Sequence, residues 1–299
     1  MGINGKAIER LKALGKSLIE KGKEVNDFAQ RAPEISRRLM VSGEYIAYTA
    51  DELSKADSLG MDFNASVIGV EGLESDIKFL SLPSHEHIQK VLLSSTGVSN
   101  TATAIVVDLD RKAPDLELFQ NPPESLRIDE ETTKITASLN DIKEGLGSSW
   151  RSVWDEIKLG SATAIKSACA SARTVVDEIG WLVPYDDLVK LEWCKLDEKA
   201  RPTRASRYAW ILHGVILPSE LGGNPSADAI WKAFGKSYDE LQRFVHLTSI
   251  TRSERFYVER LLSAIQDGLS EYVSRGFDRL KNAKKNLDDN PSPHPKPKL

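Results

Sequence analysis

The residues best suited to chemistry lie in a short basic connector and in the helix predicted to follow it. Between 195 and 207, five basic side chains outnumber two acidic ones, a local charge of +3 in a chain of formal net charge −4. These basic residues are Lys195, Lys199, Arg201, Arg204 and Arg207. Free N–H groups and the dipole at a helix start favour anions, and guanidiniums beside aromatic faces such as Tyr208 and Trp210 suit phosphates and unstacked bases. The pattern indicates a local RNA or phosphate site; a charged loop with two core aromatics explains it equally well.

Two histidines could supply acid–base chemistry beside these arginines. Arg207 and His213 are six positions apart. In RNA cleavage without a metal, an imidazole moves the proton while a guanidinium stabilises the phosphorane. Six positions along a helix separate two side chains by about 120°, so the pair would have to converge on a substrate or across a dimer interface. For His213 the plainer interpretation is a satisfied or solvent-edge side chain. His246 is the second candidate, with Arg243 one turn before it.

Metal chemistry has weaker support in the sequence. His85 and His87 would point about 200° apart on a helix, and no second pair of ligands is near them. Asp108 and Asp110 follow a predicted strand, as carboxylates do in some metal-dependent nucleases, but no Glu-x-Lys-like element follows them. We therefore expect no metal and no cofactor, and a metal-dependent nuclease is the third alternative.

The composition predicts a cytoplasmic protein. The chain is 40% hydrophobic and 28% charged, which is ordinary for a globular protein. No apolar run approaches the ~20 residues that span a bilayer, and the N-terminus lacks the apolar core of a secretory signal. Cys169 and Cys194 stand outside any CxxC or Cys/His cluster, which favours free thiols in a reducing compartment. We expect no membrane partner.

The predicted N-terminal region, residues 1–120, combines helices with a small mixed sheet at about 63–110. Amphipathic spacing predicts helices over 6–31 and 34–55. Short β-branched runs bounded by Gly, Pro or Asn predict three strands. The strands are expected at 66–70, 77–82 and 102–109, with a helix at 85–95 between the second and third. The stretch 113–123, with three prolines in eleven positions, is the strongest linker candidate.

The C-terminal region, residues 124–285, is predicted to be almost wholly helical. Ser161 is expected to cap one helix, and Pro202 with Thr203 to open the helix that carries Arg207. A break is expected near 248–251, and the proline-rich tail 286–299 is predicted to be disordered. The fold class is therefore mainly α, with a helical C-terminal domain and a small N-terminal α+β region.

Parts of the C-terminal region resemble a bacterial conflict-system family, the predicted pPIWI-associating nucleases, which are helical and grouped with HEPN-like ribonucleases. The similar segments are SARTVVDEIGWLVPYDD, KLDEKARPTRASRYAWILHG and YDELQRFVHLTS, within about 145–265. The matching landmarks are Arg173, the run from Pro202 to Arg207, and His246. The resemblance implies a HEPN-like domain that cuts RNA without a metal, a toxin-like role in anti-phage defence, and frequent dimer formation.

One position departs from the family pattern. HEPN sites usually carry Asn, Asp or His directly after the motif arginine, whereas Tyr208 follows Arg207. Either Arg207 works with His246, or this copy is inactive and serves as a binding module. Residues 1–120 fall outside the resemblance and are expected to sense a trigger or hold a defence-system partner protein.

The first hypothesis is a metal-independent endoribonuclease with RNA as its partner. In it, Arg207, His213 and His246 are catalytic, and four residues contact phosphate or RNA. Those four are Arg173, Arg201, Arg204 and Tyr208. The alternative is a non-catalytic interaction protein in which the arginines pair with carboxylates. The candidate carboxylates are Asp177, Glu178, Asp186 and Asp187.

Overall fold

A computed structural model describes residues 3–28, 33–78, 85–119, 131–214, 225–246 and 248–289. Within these ranges the chain is 82% helix and contains no strand. The mainly α prediction is therefore confirmed, and the predicted N-terminal sheet is wrong. The structure also shows, over the same ranges, no helix long and apolar enough to cross a membrane.

The helices divide into two compact units. The first unit comprises Met1–Asp129 and Thr248–Ala264, and the second comprises Glu130–Leu247 and Ile265–Leu299. The first unit contains α1 (Ile3–Phe28), α2 (Pro33–Ser58), α3 (Val70–Lys78) and α4 (His85–Lys112). The second contains α5 (Glu131–Ile142), α6 (Leu146–Leu159), α7 (Ala162–Trp181), α8 (Tyr185–Leu188), α9 (Arg204–His213) and α10 (Pro225–Val245). The last helix, α11 (Arg252–Asp289), contributes residues to both units.

The first unit is built on the helical hairpin of α1 and α2. Apolar residues at three- and four-residue spacing, such as Leu11, Leu14 and Leu18 of α1, are buried, as amphipathic helices require. The two helices cross closely at two glycines. A Cβ on Gly43 would lie 2.5 Å from the carbonyl oxygen of Gly15, so the crossing admits no side chain there.

The predicted strand at 102–109 lies inside α4. Its buried residues Ala102, Val106 and Leu109 recur at helical spacing, so they cover one face of a helix that packs against α2. Burial of this face overrides the β propensity of the run, because strand propensity depends strongly on context. Residues 65–68 form a short 3-10 turn and Val70–Lys78 is helical; 79–82 of the second predicted strand lie outside the described residues.

The first part of the predicted linker, 113–119, packs against the first unit. Phe119 is buried, its backbone N–H donates to Glu52, and its ring centroid lies 4.8 Å from that of Phe256. Ser253 donates to Asp110, and Arg111 pairs with Glu254. These contacts explain why 248–264 belongs to this unit. Residues 120–123 of the predicted linker lie outside the described residues.

The second unit has an aromatic core. Tyr208, Phe234 and Tyr272 pack with ring centroids 4.6 to 5.4 Å apart. The apolar stripe predicted for α6 is buried as expected, and both its indole N–H groups, on Trp150 and Trp154, donate to Gln266.

The tail 286–299, predicted to be disordered, falls largely beyond residue 289, outside the described residues. Its first residues, 286–289, continue α11.

Candidate functional site

The basic connector is a folded loop that delivers its arginines to the start of α9. The helix α9 begins where Pro202 and Thr203 were expected to open it, and Thr203 caps it, because its hydroxyl accepts from the backbone N–H of Ser206. The hydroxyl of Ser206 in turn accepts from the N–H of Lys195, and the N–H of Thr203 donates to the carbonyl of Lys195 at 2.8 Å. Leu196 and Pro202 form a single antiparallel bridge. These bonds fix the position at which Arg204 and Arg207 leave the helix.

Arg201 is held inside this loop by Asp197. Its Nε and Nη2 donate to Oδ2 of Asp197 at 3.0 and 2.9 Å, while Oδ1 accepts from the backbone N–H groups of Lys199 and Arg201. The backbone bond from Arg201, followed by its side chain, lowers the pKa of Asp197 to about 2. Arg201 and Asp197 therefore stabilise the connector loop in which both residues lie.

Tyr238 of α10 organises Arg173 and Arg204. The Nε of Arg204 donates to Oδ1 of Asp177 at 3.0 Å, and its Nη2 donates to the Tyr238 hydroxyl at 2.9 Å. That hydroxyl donates to Oδ2 of Asp177 at 2.8 Å, which completes a closed network. Both guanidinium carbons lie over the Tyr238 ring, at 4.1 Å for Arg173 and 3.9 Å for Arg204. Arg173 also donates to the carbonyl of Tyr238.

Arg207 differs from Arg173, Arg201 and Arg204 in that no described oxygen accepts a hydrogen bond from its guanidinium. Its guanidinium lies over the ring of Trp181, 3.5 Å from the centroid, and it makes no ion pair with any described carboxylate. The side chain is half-buried. Burial, and then the nearby charge of Arg201, lower the pKa of Arg207 to about 10, so the group stays cationic at neutral pH. A half-buried cation without a carboxylate is the arrangement that an anionic ligand would stabilise.

His213 lies away from solvent at the last turn of α9. It is 8% exposed, and its Nε2 has no hydrogen-bond partner among the described residues. Burial lowers its pKa, and Arg275 and Arg279 lower it further, so the ring is neutral at physiological pH. Nothing in this arrangement brings His213 to Arg207 in an open cleft.

His246, in contrast, is exposed just past the end of α10. Its Nε2 lies 2.9 Å from the amide nitrogen of Gln242. Arg243, one turn before it, pairs with Glu240. Tyr238 lies on the same helix eight residues earlier, about 12 Å along the axis. The imidazole is therefore accessible but separated from the Tyr238 network by two turns.

Tyr208 is a structural residue in the described chain. It is fully buried, and its hydroxyl donates to the carbonyl of Val176 at 2.7 Å. Burial raises its pKa well above the ordinary value. This side chain cannot stack on a base at the surface, and it anchors α9 to α7 instead.

The described residues offer no group of three metal-binding side chains. Asp110 accepts from Ser253 and is buried, while Asp108 lies on the exposed side of α4 beside Arg111. Cys169 is buried, and desolvation raises its pKa to about 12, so it is an unreactive thiol. These residues give no support to the metal-dependent alternative.

The structure adds two residues that the sequence did not single out, Tyr238 and Trp181. Tyr238 lies inside the segment YDELQRFVHLTS, but its contact with Asp177 joins residues 61 positions apart. Trp181 follows Gly180 at the end of α7, where Arg207 packs its Cδ over the glycine. No local spacing marks either residue.

No family model, no curated protein and no solved structure matches the chain.

Proposed function

We propose that this protein is a non-catalytic interaction protein whose second unit binds RNA through Arg207. The supporting observation is the half-buried guanidinium of Arg207, which lies over Trp181 without a carboxylate partner in the described chain. An RNA phosphate would neutralise this charge, and an arginine of fixed orientation binds phosphate well. The anion site is local, since the chain as a whole carries −4.

The other arginines support a structural role. Arg204 pairs with Asp177, Arg201 pairs with Asp197, and Arg173 donates to a backbone carbonyl. Pairing with carboxylates is what the non-catalytic alternative requires. These three side chains are bound within the protein, and the charges of Arg201 and Arg204 disfavour the cation of Arg207, which an RNA phosphate would offset.

The ribonuclease hypothesis has less support from the geometry. Cleavage without a metal needs an imidazole that can reach the phosphate bound by the arginine. His213 is buried and carries a lowered pKa, so it meets neither condition. His246 is exposed, and this observation keeps an endoribonuclease that uses Arg207 and His246 as the second candidate.

The biological setting is proposed from the sequence: the location rests on the composition, and the defence role and the homodimer rest on the resemblance. It comprises a cytoplasmic location and a component of a bacterial anti-phage defence system. A partner protein held through residues 1–120 and a homodimer belong to the same proposal.

The test is RNA binding measured by fluorescence anisotropy with a labelled single-stranded 20-mer. Arg207→Gln removes the charge and should weaken RNA binding about tenfold. A single arginine contact, together with stacking of a neighbouring base, contributes on the order of 1–3 kcal/mol. Arg255→Gln is the matched control: Arg255 lies in the first unit, paired with Glu259, and should bind as wild type does. Equal affinity of Arg207→Gln and wild type would rule out the proposed contact.

The same RNA, recovered and run on a denaturing gel, separates the alternatives. We expect intact RNA in EDTA and in Mg²⁺, and no effect of His246→Ala. Cleavage in EDTA that is lost in His246→Ala would establish the ribonuclease instead. Cleavage that requires Mg²⁺ would favour the metal-dependent alternative.

A further inference from the structure

The last two turns of α9 carry two buried nitrogen groups without partners. Trp210 is 9% exposed and His213 is 8% exposed. The Nε1 of Trp210 and the Nε2 of His213 are enclosed, and neither has a hydrogen-bond partner in the part of the chain that is described. Buried indole N–H groups ordinarily find an acceptor, as those of Trp150 and Trp154 do at Gln266. Two exceptions at adjacent turns of one helix need a common explanation.

The two side chains are neighbours. Residues three apart on a helix have Cβ atoms about 5–6 Å from each other. Trp210 and His213 stand in this relation, one and two turns beyond Arg207. Both rings therefore lie on adjoining parts of the surface of the C-terminal half of α9.

The backbone carbonyls at the end of α9 already accept hydrogen bonds. Arg279 donates through Nε and Nη2 to the carbonyl of Ile211, at 2.9 and 2.7 Å, and through Nη2 to the carbonyl of Leu212 at 2.6 Å. The carbonyl of Trp210 accepts from the N–H of Gly214. The end of α9 is thus occupied by an arginine that supplies more donors and a positive charge.

The electrostatic environment of the His213 ring is positive. Arg275 and Arg279 are the charged groups that act on the His213 ring, and both are cations. Arg275 is paired with Glu271. Arg279 donates to backbone carbonyls, and the charge of Asp278 acts on it without a described ion pair. Donors without acceptors in a positive field suit a ligand that brings oxygen acceptors and negative charge.

We infer that Trp210 and His213 form a binding slot for a small oxyanion, a phosphate or a carboxylate group. The Trp210 Nε1–H and the His213 Nε2–H donate to its oxygens, and Arg279 supplies the positive field. The slot is separate from the Arg207 contact and does not depend on RNA binding. It is formed by side chains whose unmet hydrogen bonds cost stability in the unliganded protein.

The experiment measures thermal unfolding of the full chain in sodium phosphate, sodium acetate or sodium chloride at equal ionic strength. Wild type should gain a saturable rise in Tm in phosphate or acetate beyond that in chloride. Calorimetric titration with the same anion should give one site. A response to phosphate alone identifies a phosphate-type ligand, and a response to acetate alone identifies a carboxylate-type one.

Two variants and a control locate the effect. Trp210→Phe keeps a ring and removes the donor, and His213→Leu removes both nitrogens; each should weaken anion binding at least fivefold. Trp193→Phe is the matched control, since Trp193 also has a buried Nε1 without a partner in the described chain, and should keep wild-type binding.

The remaining outcomes overturn the inference. They are no anion effect beyond chloride, wild-type affinity in Trp210→Phe, and equal loss in Trp193→Phe.

Discussion

The substitution Tyr238→Phe tests whether the arginine network is structural. It removes the hydroxyl that donates to Asp177 at 2.8 Å and accepts from Arg204 at 2.9 Å. It leaves the ring on which Arg173 and Arg204 stack, so the cation–π contacts survive. The perturbation is therefore confined to two hydrogen bonds with charged partners.

The expected loss follows from the burial of these groups. A hydrogen bond to a charged group contributes about 1.5–3 kcal/mol when fully buried. The side chains of Arg204 and Asp177 are 33% and 31% exposed, so water compensates part of the loss. We take about 1 kcal/mol for each bond and predict that Tyr238→Phe lowers the free energy of unfolding by about 2 kcal/mol.

Urea unfolding followed by circular dichroism measures this difference, with Tyr272→Phe as the control. Tyr272 is buried in the same unit, and its hydroxyl has no hydrogen-bond partner in the described chain. Removing that hydroxyl should leave stability unchanged or raise it. Equal unfolding free energies for the two variants, to within about 0.5 kcal/mol, would refute the structural role of the Tyr238 hydroxyl.

Three further predictions concern packing, hydrogen bonding and pH. Gly43→Ala should destabilise the protein by about 1–3 kcal/mol, since its Cβ would meet the carbonyl of Gly15. A Cβ on Gly97 has no atom within 4 Å, so Gly97→Ala should be neutral or stabilising. Urea unfolding compares the two variants. Gln266→Leu leaves two buried indole N–H groups without their acceptor and should lower the free energy of unfolding by about 2–4 kcal/mol in the same assay. Because burial lowers the pKa of His213, the unfolded chain takes up the proton more readily, and the free energy of unfolding should fall as pH drops below about 6.5. Urea unfolding at pH 7 and pH 5 measures this fall, and His213→Leu should show a smaller fall than wild type.

Contrary results have distinct meanings. If Gly43→Ala is as stable as Gly97→Ala, the close approach of α1 and α2 is not required. If Gln266→Leu costs nothing, the indole groups have other acceptors. If wild type and His213→Leu lose equal stability at low pH, the histidine is not the group that titrates.

Local signals in the sequence predicted where several helices begin and end. Ser161 caps α7 as expected, and α9 begins directly after Pro202 and Thr203, because both signals depend only on nearby residues. The interruption between α10 and α11 likewise falls where a break was expected. The run at 102–109 failed because its β-branched residues describe a strand and a buried helix face equally well. Only packing against α2 decides between them.

The candidate site was less predictable, for a physical reason. The sequence marked Arg204 and Arg207 as a charged cluster but could not separate the paired arginine from the unpaired one. That distinction depends on Asp177, Trp181 and Tyr238, which reach α9 from other helices. Burial of His213 is also a tertiary property, since α11 supplies the arginine that closes the end of α9.

The most direct test of the central claim is the salt dependence of RNA binding. Anisotropy titrations from 50 to 200 mM NaCl give the slope of log affinity against log salt concentration for wild type and Arg207→Gln. For a single strand, losing one phosphate contact should reduce the magnitude of this slope by about 0.7. Identical slopes for the two proteins would contradict the proposal that Arg207 is the residue that binds the phosphate.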